Sequence, residues 1–157
     1  MQPGDLKQPT EEVWAWLGEV PDPEIPTVSV VDLGIVRDVR WVGETLEIAL
    51  TPTYSGCPAT TAITSDVKSA AQRNGHENVR VRLELSPPWT TDWLTEKGKA
   101  ALEATGIAPP SATGRPATCP RCQSSLVTKV SQFGSTPCKA MWKCEDCKEP
   151  FEYFKCL

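Results

Sequence analysis

Two Cys-x-x-Cys turns constrain this chain more than any other feature: Cys119-Pro-Arg-Cys122 and Cys144-Glu-Asp-Cys147, separated by 21 residues. A turn of this kind points two sulfurs at one point, and two such turns brought together by hairpins supply a closed tetrahedral set. About forty residues cannot build an adequate hydrophobic core alone, so the bound ion contributes folding energy directly. Four thiolates leave no open position for water or substrate, and the spacing predicts a structural Zn²⁺ held by Cys119, Cys122, Cys144 and Cys147. A rubredoxin-like iron or a cluster uses the same ligand type. The segment "IAPPSATGRPAT" before it reads as a linker. The expected division is therefore a domain over residues 1–106, a linker over 107–117 and a Cys₄ ribbon over 118–157.

Seven cysteines in 157 residues also bear on compartment. The N-terminal stretch "MQPGDLKQPTEEVW" lacks the basic and apolar regions of a signal peptide, and no run approaches membrane-spanning length. The expectation is a cytoplasmic protein with no membrane partner, in which dense cysteines mean metal or redox chemistry before disulfides. Residues 1–108 carry nine Lys/Arg against sixteen Asp/Glu, which argues against nucleic acid; residues 115–157 carry seven against four. Cys138 and Cys156 lie outside the two turns. They read as buried small hydrophobes, or as thiols that pair or bind a second metal.

The first part predicts an α+β domain in the order helix, β-hairpin, helix, strand, helix. "TEEVWAWLGEV" has Thr10 as N-cap, acids in the first turn and apolar residues at 13, 14, 17 and 20. Trp14 and Trp16 cannot share one helix face, so one of them is expected at the surface. "PDPEIP" breaks the helix. "GIVRDVRWVGETLEIALTPT" reads as two strands about Val42-Gly43-Glu44, with Ile35, Arg37, Val39 and Trp41 on one face and Leu46, Ile48 and Leu50 on the matching one. "PATTAITSDVKSAAQRNG" predicts a helix opened by Pro58 and closed at Asn74-Gly75. "ENVRVRLEL" alternates as a third strand, and a short helix ends near Gly106. The single histidine, His76, reads as a solvated loop residue.

Cys57 is the lone thiol of this first part, set in "TPTYSGCPATT" where strand turns into helix. Unpaired N–H groups and the macrodipole at a helix start favour negative charge on a sulfur placed there. Gly56 permits close approach, and Thr51, Thr53, Tyr54, Ser55 and Thr60 could supply hydroxyl donors. The plain alternative is a cysteine packed under the hairpin. Hydrolase readings find no support: there is no Gly-x-Ser-x-Gly and no phosphate-cradling loop. A di-iron site, which needs several Glu and Glu-x-x-His pairs, is likewise not encoded.

"DPEIP…VVDLGIV" (Asp22 to Val36) with "LTPTYSGCP" (Leu50 to Pro58) resembles the SufT-like family of iron–sulfur maturation domains, over residues 10–106. The tail "CPRC…SQFGSTPCKAMWKCEDCKEPFEYFKC" narrows the resemblance to the PaaD (PaaJ) family of the ring-1,2-phenylacetyl-CoA epoxidase system. That resemblance implies an accessory component of aerobic phenylacetate degradation that is not itself the oxygenase. It implies partners in a di-iron oxygenase and a reductase carrying flavin and a [2Fe–2S] cluster, one of whose iron centres it helps to mature. It further implies Cys57 as a transient contact for iron or a cluster, with Asp22, Glu24 and Asp32 as motif residues. One sulfur cannot hold a stable cluster; a ligand from a second chain, as in a homodimer, would be one way to complete it. The competing reading is a structural component that bridges oxygenase and reductase without touching iron.

Overall fold

The structure, a computed structural model, describes residues 7–54 and 56–155. Its contacts divide the chain into two compact units, with the division after Trp89.

The first unit is a three-stranded sheet with two helices. Helix α1 (Thr10–Leu17) is followed by the hairpin β1 (Val36–Val42) and β2 (Thr45–Leu50), helix α2 (Ala59–Arg73) and strand β3 (Val79–Leu83). The hairpin turns at Gly43, whose φ of +60° suits a residue without Cβ. The strand order is β1-β2-β3, antiparallel between the first two and parallel between β2 and β3. A parallel pair cannot be closed by a tight turn, and α2 supplies the crossover. Ile63, Val67, Ala70 and Ala71 of α2, with Val13, Trp16 and Leu17 of α1, form the buried faces of the two helices. Leu46, Ile48 and Leu50 of β2 are fully buried.

Four expectations shift in this unit, three of them in the helix and the hairpin. Pro9, not Thr10, occupies the position before α1, no side chain caps it, and Thr10 is the first helical residue. Trp16 rather than Trp14 joins the buried stripe, because its indole N–H donates to Gln8 Oε1 at 3.0 Å. Arg37 leaves the face of Ile35 and Val39 because the β1–β2 register shifts between Val36 and Asp38. A bulge of this kind breaks the period of two.

His76 is not a solvated loop residue. Its ring stacks on Trp16 with centroids 6.2 Å apart and meets Trp41 edge-on at 5.5 Å. Its Nε2 lies 2.7 Å from Gln8 Oε1, the same oxygen that accepts from Trp16. The indole N–H can only donate, so that atom of Gln8 is the acceptor and His76 carries its proton on Nε2. Trp41 donates to the Gln8 carbonyl at 2.9 Å. One glutamine thus joins the segment before α1, the hairpin and the α2–β3 turn.

On the face that carries Glu47 and Ala49, β2 is buried too. Glu47 Oε1 accepts from Arg40 Nη2 at 2.7 Å and from Arg82 Nε at 3.0 Å, one arginine from each neighbouring strand. Ala49, 1% exposed, lies between Asp38 and Arg82 in register.

The second unit holds a 3-10 turn (Thr91–Trp93), helix α3 (Glu96–Ala104) and strands β4 (Ile107–Ala108), β5 (Val127–Ser131), β6 (Lys139–Cys144) and β7 (Pro150–Phe154). Thr95 Oγ1 caps α3 by accepting from Gly98 N–H at 3.0 Å. The strand order is β4-β7-β6-β5. Two features differ from the expected division: α3 belongs to the unit that contains the ribbon, and Ile107 and Ala108 pair in parallel with Glu152 and Tyr153 instead of opening a linker. Ser111 N–H donates to Tyr153 Oη at 3.2 Å, which ties the Pro-rich segment down further. Cys156 falls outside the described residues.

The Glu47 cluster yields a pH prediction. The Arg40 hydrogen bond, aided by Arg82, outweighs burial and holds the Glu47 carboxyl below its usual range. A carboxylate depressed in the fold contributes stability that is whole above its unfolded pKa and is lost as pH falls through the folded value. Unfolding midpoints of wild type should therefore exceed those of Glu47→Gln at neutral pH and converge with them below about pH 4. A gap that stays constant with pH would rule this out.

Candidate functional site

The four cysteines of the ribbon converge. Cys119 and Cys122 lie in the turn before β5; Cys144 ends β6 and Cys147 lies in the β6–β7 turn. Their ligand atoms are all within 4.8 Å of one another, the one group of three or more His, Cys, Asp or Glu donors so placed among the described residues. Cys119 Sγ is 3.9 Å from Cys147 Sγ, and Cys122 Sγ is 3.5 Å from Cys144 Sγ. A tetrahedron with Zn–S bonds of about 2.3 Å has edges of about 3.8 Å. These two edges bracket that length, and the donor set is of the size and kind that holds zinc.

The two turns are built alike. In the first, Arg121 N–H points at Cys119 Sγ; in the second, Cys147 N–H points at Cys144 Sγ, both at 3.4 Å. The residue after each second cysteine, Gln123 and Lys148, takes φ of +66°, the left-handed conformation that bends the chain back into its strand. Behind the sulfurs, Cys119 and Cys144 are buried with Trp142, Phe151, Tyr153 and Val127, while Cys122 is exposed.

Crowding sets the protonation of Cys144, Cys147 and Cys122. The Cys147 N–H, followed by that of Asp146, stabilises a thiolate on Cys144 against burial and lowers its pKa to about 7. Cys147 receives help from the Glu149 N–H, but burial and the sulfurs of Cys144, Cys122 and Cys119 outweigh it and push its thiol up to about 12. Cys122 is likewise raised: Cys144 and burial overcome the Ser124 N–H. Four neighbouring sulfurs resist ionising together, and a divalent cation removes that resistance.

Cys57 sits at the corner between β2 and α2, 8% exposed. Gly56 has φ of +79°, and a Cβ there would meet nothing within 4 Å; the demand for glycine is conformational. Pro58, at φ −62° and ψ −26°, is already helical. Cys57 N–H donates to Tyr54 O and its carbonyl accepts from Thr60 N–H, so the backbone of the turn is committed. No described residue hydrogen-bonds its sulfur, so the expected hydroxyl donors Thr51, Thr53, Tyr54 and Thr60 do not reach it; Ser55 lies outside the described residues. Beside the turn, residues 51–54 with Leu85, Pro88 and Trp89 line a cleft of about 80 Å³. Trp89, buried at this cleft, donates its indole N–H to Leu33 O at 2.9 Å.

The acidic motif residues do not gather on Cys57. Asp22 is buried, and its Oδ1 accepts from the N–H groups of Glu24 and Ile25 at 2.9 Å each, which makes it the staple of the Pro-rich turn. Asp32 exchanges hydrogen bonds with the Ser29 hydroxyl. Glu24 is exposed. None of the three joins Cys57 in a compact ligand group among the described residues. In the ribbon, Cys138 is buried with its sulfur 3.0 Å from Thr136 Oγ1.

Comparison with known proteins places these two units. Residues 10–87 match the family model described as iron-sulfur cluster assembly protein, and residues 108–155 match the PaaD zinc beta ribbon domain. The chain is 36% identical over 94 residues to the Fe-S protein maturation auxiliary factor YitW of Bacillus subtilis (strain 168), covering 59% of this chain and 91% of that protein. A domain of unknown function (DUF59) from Bacillus anthracis superimposes with a TM-score of 0.54 at 34% identity, over 59% of this chain and 89% of that one. Along both units the chain is similar to an Escherichia coli (strain K12) protein named as a candidate component of 1,2-phenylacetyl-CoA epoxidase. The two are 47% identical over 152 residues, 93% of this chain and 92% of the relative. At that identity and coverage, with both domain matches in the same order, the chain belongs to the PaaD family of phenylacetyl-CoA epoxidase components.

Proposed function

We propose that the chain is a non-catalytic accessory factor of a phenylacetyl-CoA epoxidase system, and that it helps assemble or repair an iron centre of the oxygenase or the reductase in the cytoplasm. The observation that carries this reading is Cys57. It is the sole cysteine of the unit that matches iron–sulfur assembly proteins, held on a Gly-Cys-Pro corner at the start of a 15-residue helix. In this reading the iron or cluster is cargo, which Cys57 contacts in transit, and Asp22 and Asp32 shape the neighbouring turns. Cys119, Cys122, Cys144 and Cys147 hold a structural zinc that stabilises the ribbon and takes no part in transfer.

A specific observation favours a second reading. No other metal-binding group of three or more donors accompanies Cys57 among the described residues. A component that only bridges oxygenase and reductase would have one zinc and no iron. The two readings part at Cys57→Ser. If the thiol handles cargo, cells carrying this variant should lose at least about tenfold in ring oxidation, the scale on which metal-site changes act. The [2Fe–2S] or di-iron occupancy of the client should fall with it, while zinc content stays at wild-type level. Full client occupancy in the variant would remove the maturation role from this residue.

The zinc assignment has its own check. Protein purified without chelator should contain about one zinc per chain. Cys144→Ser should lose that zinc and the hydrogen-exchange protection of β6 and β7, with α2 still protected. Retained protection in a zinc-free ribbon would show that the metal does not stabilise it.

A further inference from the structure

A sheet edge is an open row of donors and acceptors, and folded chains blunt theirs with bulges, short strands, proline or covering segments. Among the described residues there are four sheet edges, and three carry such a device. β1 shifts register between Val36 and Asp38, β5 shifts between Lys129 and Ser131, and β4 is two residues long. β3 has none. Its register with β2 runs unbroken from Val79 to Leu83, it contains no proline, and none of residues 79–85 is buried. Leu83 and Leu85 are 49% and 59% exposed. Leu46 N–H donates to Asn78 O and Glu84 N–H donates to Leu50 O, so the even-numbered residues face β2. The alternation of the strand then turns the N–H and C=O groups of Val79, Val81 and Leu83 outward.

We propose that β3 pairs antiparallel with β3 of a second copy, with the two-fold axis at Arg82, joining two three-stranded sheets into one of six. The charges select both occupant and register. Arg80 and Glu84 lie at equal distances from Arg82 in sequence, so this axis sets Arg80 against the second copy's Glu84, twice. The Arg80 side chain forms no ion pair or hydrogen bond with another described residue, while its backbone belongs to the β2–β3 ladder. The axis also sets Val81 against Leu83 across the new ladder. An axis at Val81 would oppose Arg80 and Arg82 twice and bring no acid to Arg80, and like charges directly opposite are destabilising; the axis at Arg82 opposes arginines once, each of them already ion-paired. An axis at Leu83 would leave Arg80 opposite Ser86 without an acid and set Val79 against Pro87, which has no N–H to give to the ladder. The two Arg82 side chains meet at the axis, each held by its own Glu47 and Glu84. A strand that complements itself about one residue fits a copy of itself.

The pairing bears on Cys57. β2 and β3 run parallel, and Cys57 follows the end of β2. Antiparallel union therefore places the two Cys57 corners at opposite ends of the joint sheet, where they cannot share one ion. Each would meet its cargo separately.

Sedimentation of the full chain over a range of concentrations tests this. Wild type should show a concentration-dependent dimer. Arg80→Glu, which breaks no bond within the chain, should weaken association about tenfold through two lost pairs and two repulsions. Glu84→Arg should weaken it similarly, and the double exchange Arg80→Glu with Glu84→Arg should restore most of it. Circular dichroism and zinc content monitor folding throughout. A monomer at every concentration, as expected if a foreign strand occupied this edge, would overturn the proposal. So would a dimer indifferent to the charge changes, or a double variant no better than the singles.

Discussion

The parallel pairing of β2 with β3 is the constraint on which the first unit depends. Parallel neighbours require a crossover, and α2 makes it over 15 residues. The corner where β2 enters that helix must turn sharply, and Gly56 at positive φ followed by Pro58 at helical φ does so. Cys57 lies between the two residues that make the corner. Its place is a consequence of topology before it is a matter of chemistry. Central β2 is buried on both faces, by helices on one side and by the Glu47 ion pairs and flanking side chains on the other.

The ribbon solves a different problem. Its strands are short, and its core gathers Trp142, Tyr153, Phe151 and Val127 with Cys119 and Cys144, Cys147 packing against it. Two turns, each with an N–H···S contact at 3.4 Å and a left-handed residue after its second cysteine, bring the four sulfurs together. The segment before the ribbon also joins its sheet: Ile107 and Ala108 pair with β7, and Ser111 is bonded to Tyr153.

The elements that were legible in the sequence are those fixed by local rules. The helix over 59–73 followed from a proline start and an Asn-Gly stop, and the β2 face from strict alternation. The four-sulfur group followed from spacing alone. What was not legible depended on contacts distant in sequence. His76 looked solvated because nothing within ten residues explains it; its partners are Gln8, Trp16 and Trp41. Arg37 broke its alternation because a bulge is a property of two strands together. Ile107 and Ala108 looked like linker because a two-residue strand leaves no periodic signal. Asp22 is the instructive case among the site residues. Its carboxylate is committed to the N–H groups of Glu24 and Ile25, and a proline-bounded turn of this kind gives an acidic residue a structural task that needs no metal.

The two sulfur environments of the chain are opposites, and the difference bears on function. In the ribbon, four thiols share one point, and that geometry favours a cation that stays. At the β2–α2 corner a single thiol sits at a helix start, with no second donor group gathered around it among the described residues and a cleft lined by Thr53, Tyr54 and Trp89 beside its turn. A lone sulfur contributes one bond to a metal that requires about four, so whatever it binds must bring the remaining ligands with it. A cluster or iron still attached to its donor or already touching its client meets that condition, and free iron does not. In the proposed reading, the corner would serve hand-over between proteins and not storage.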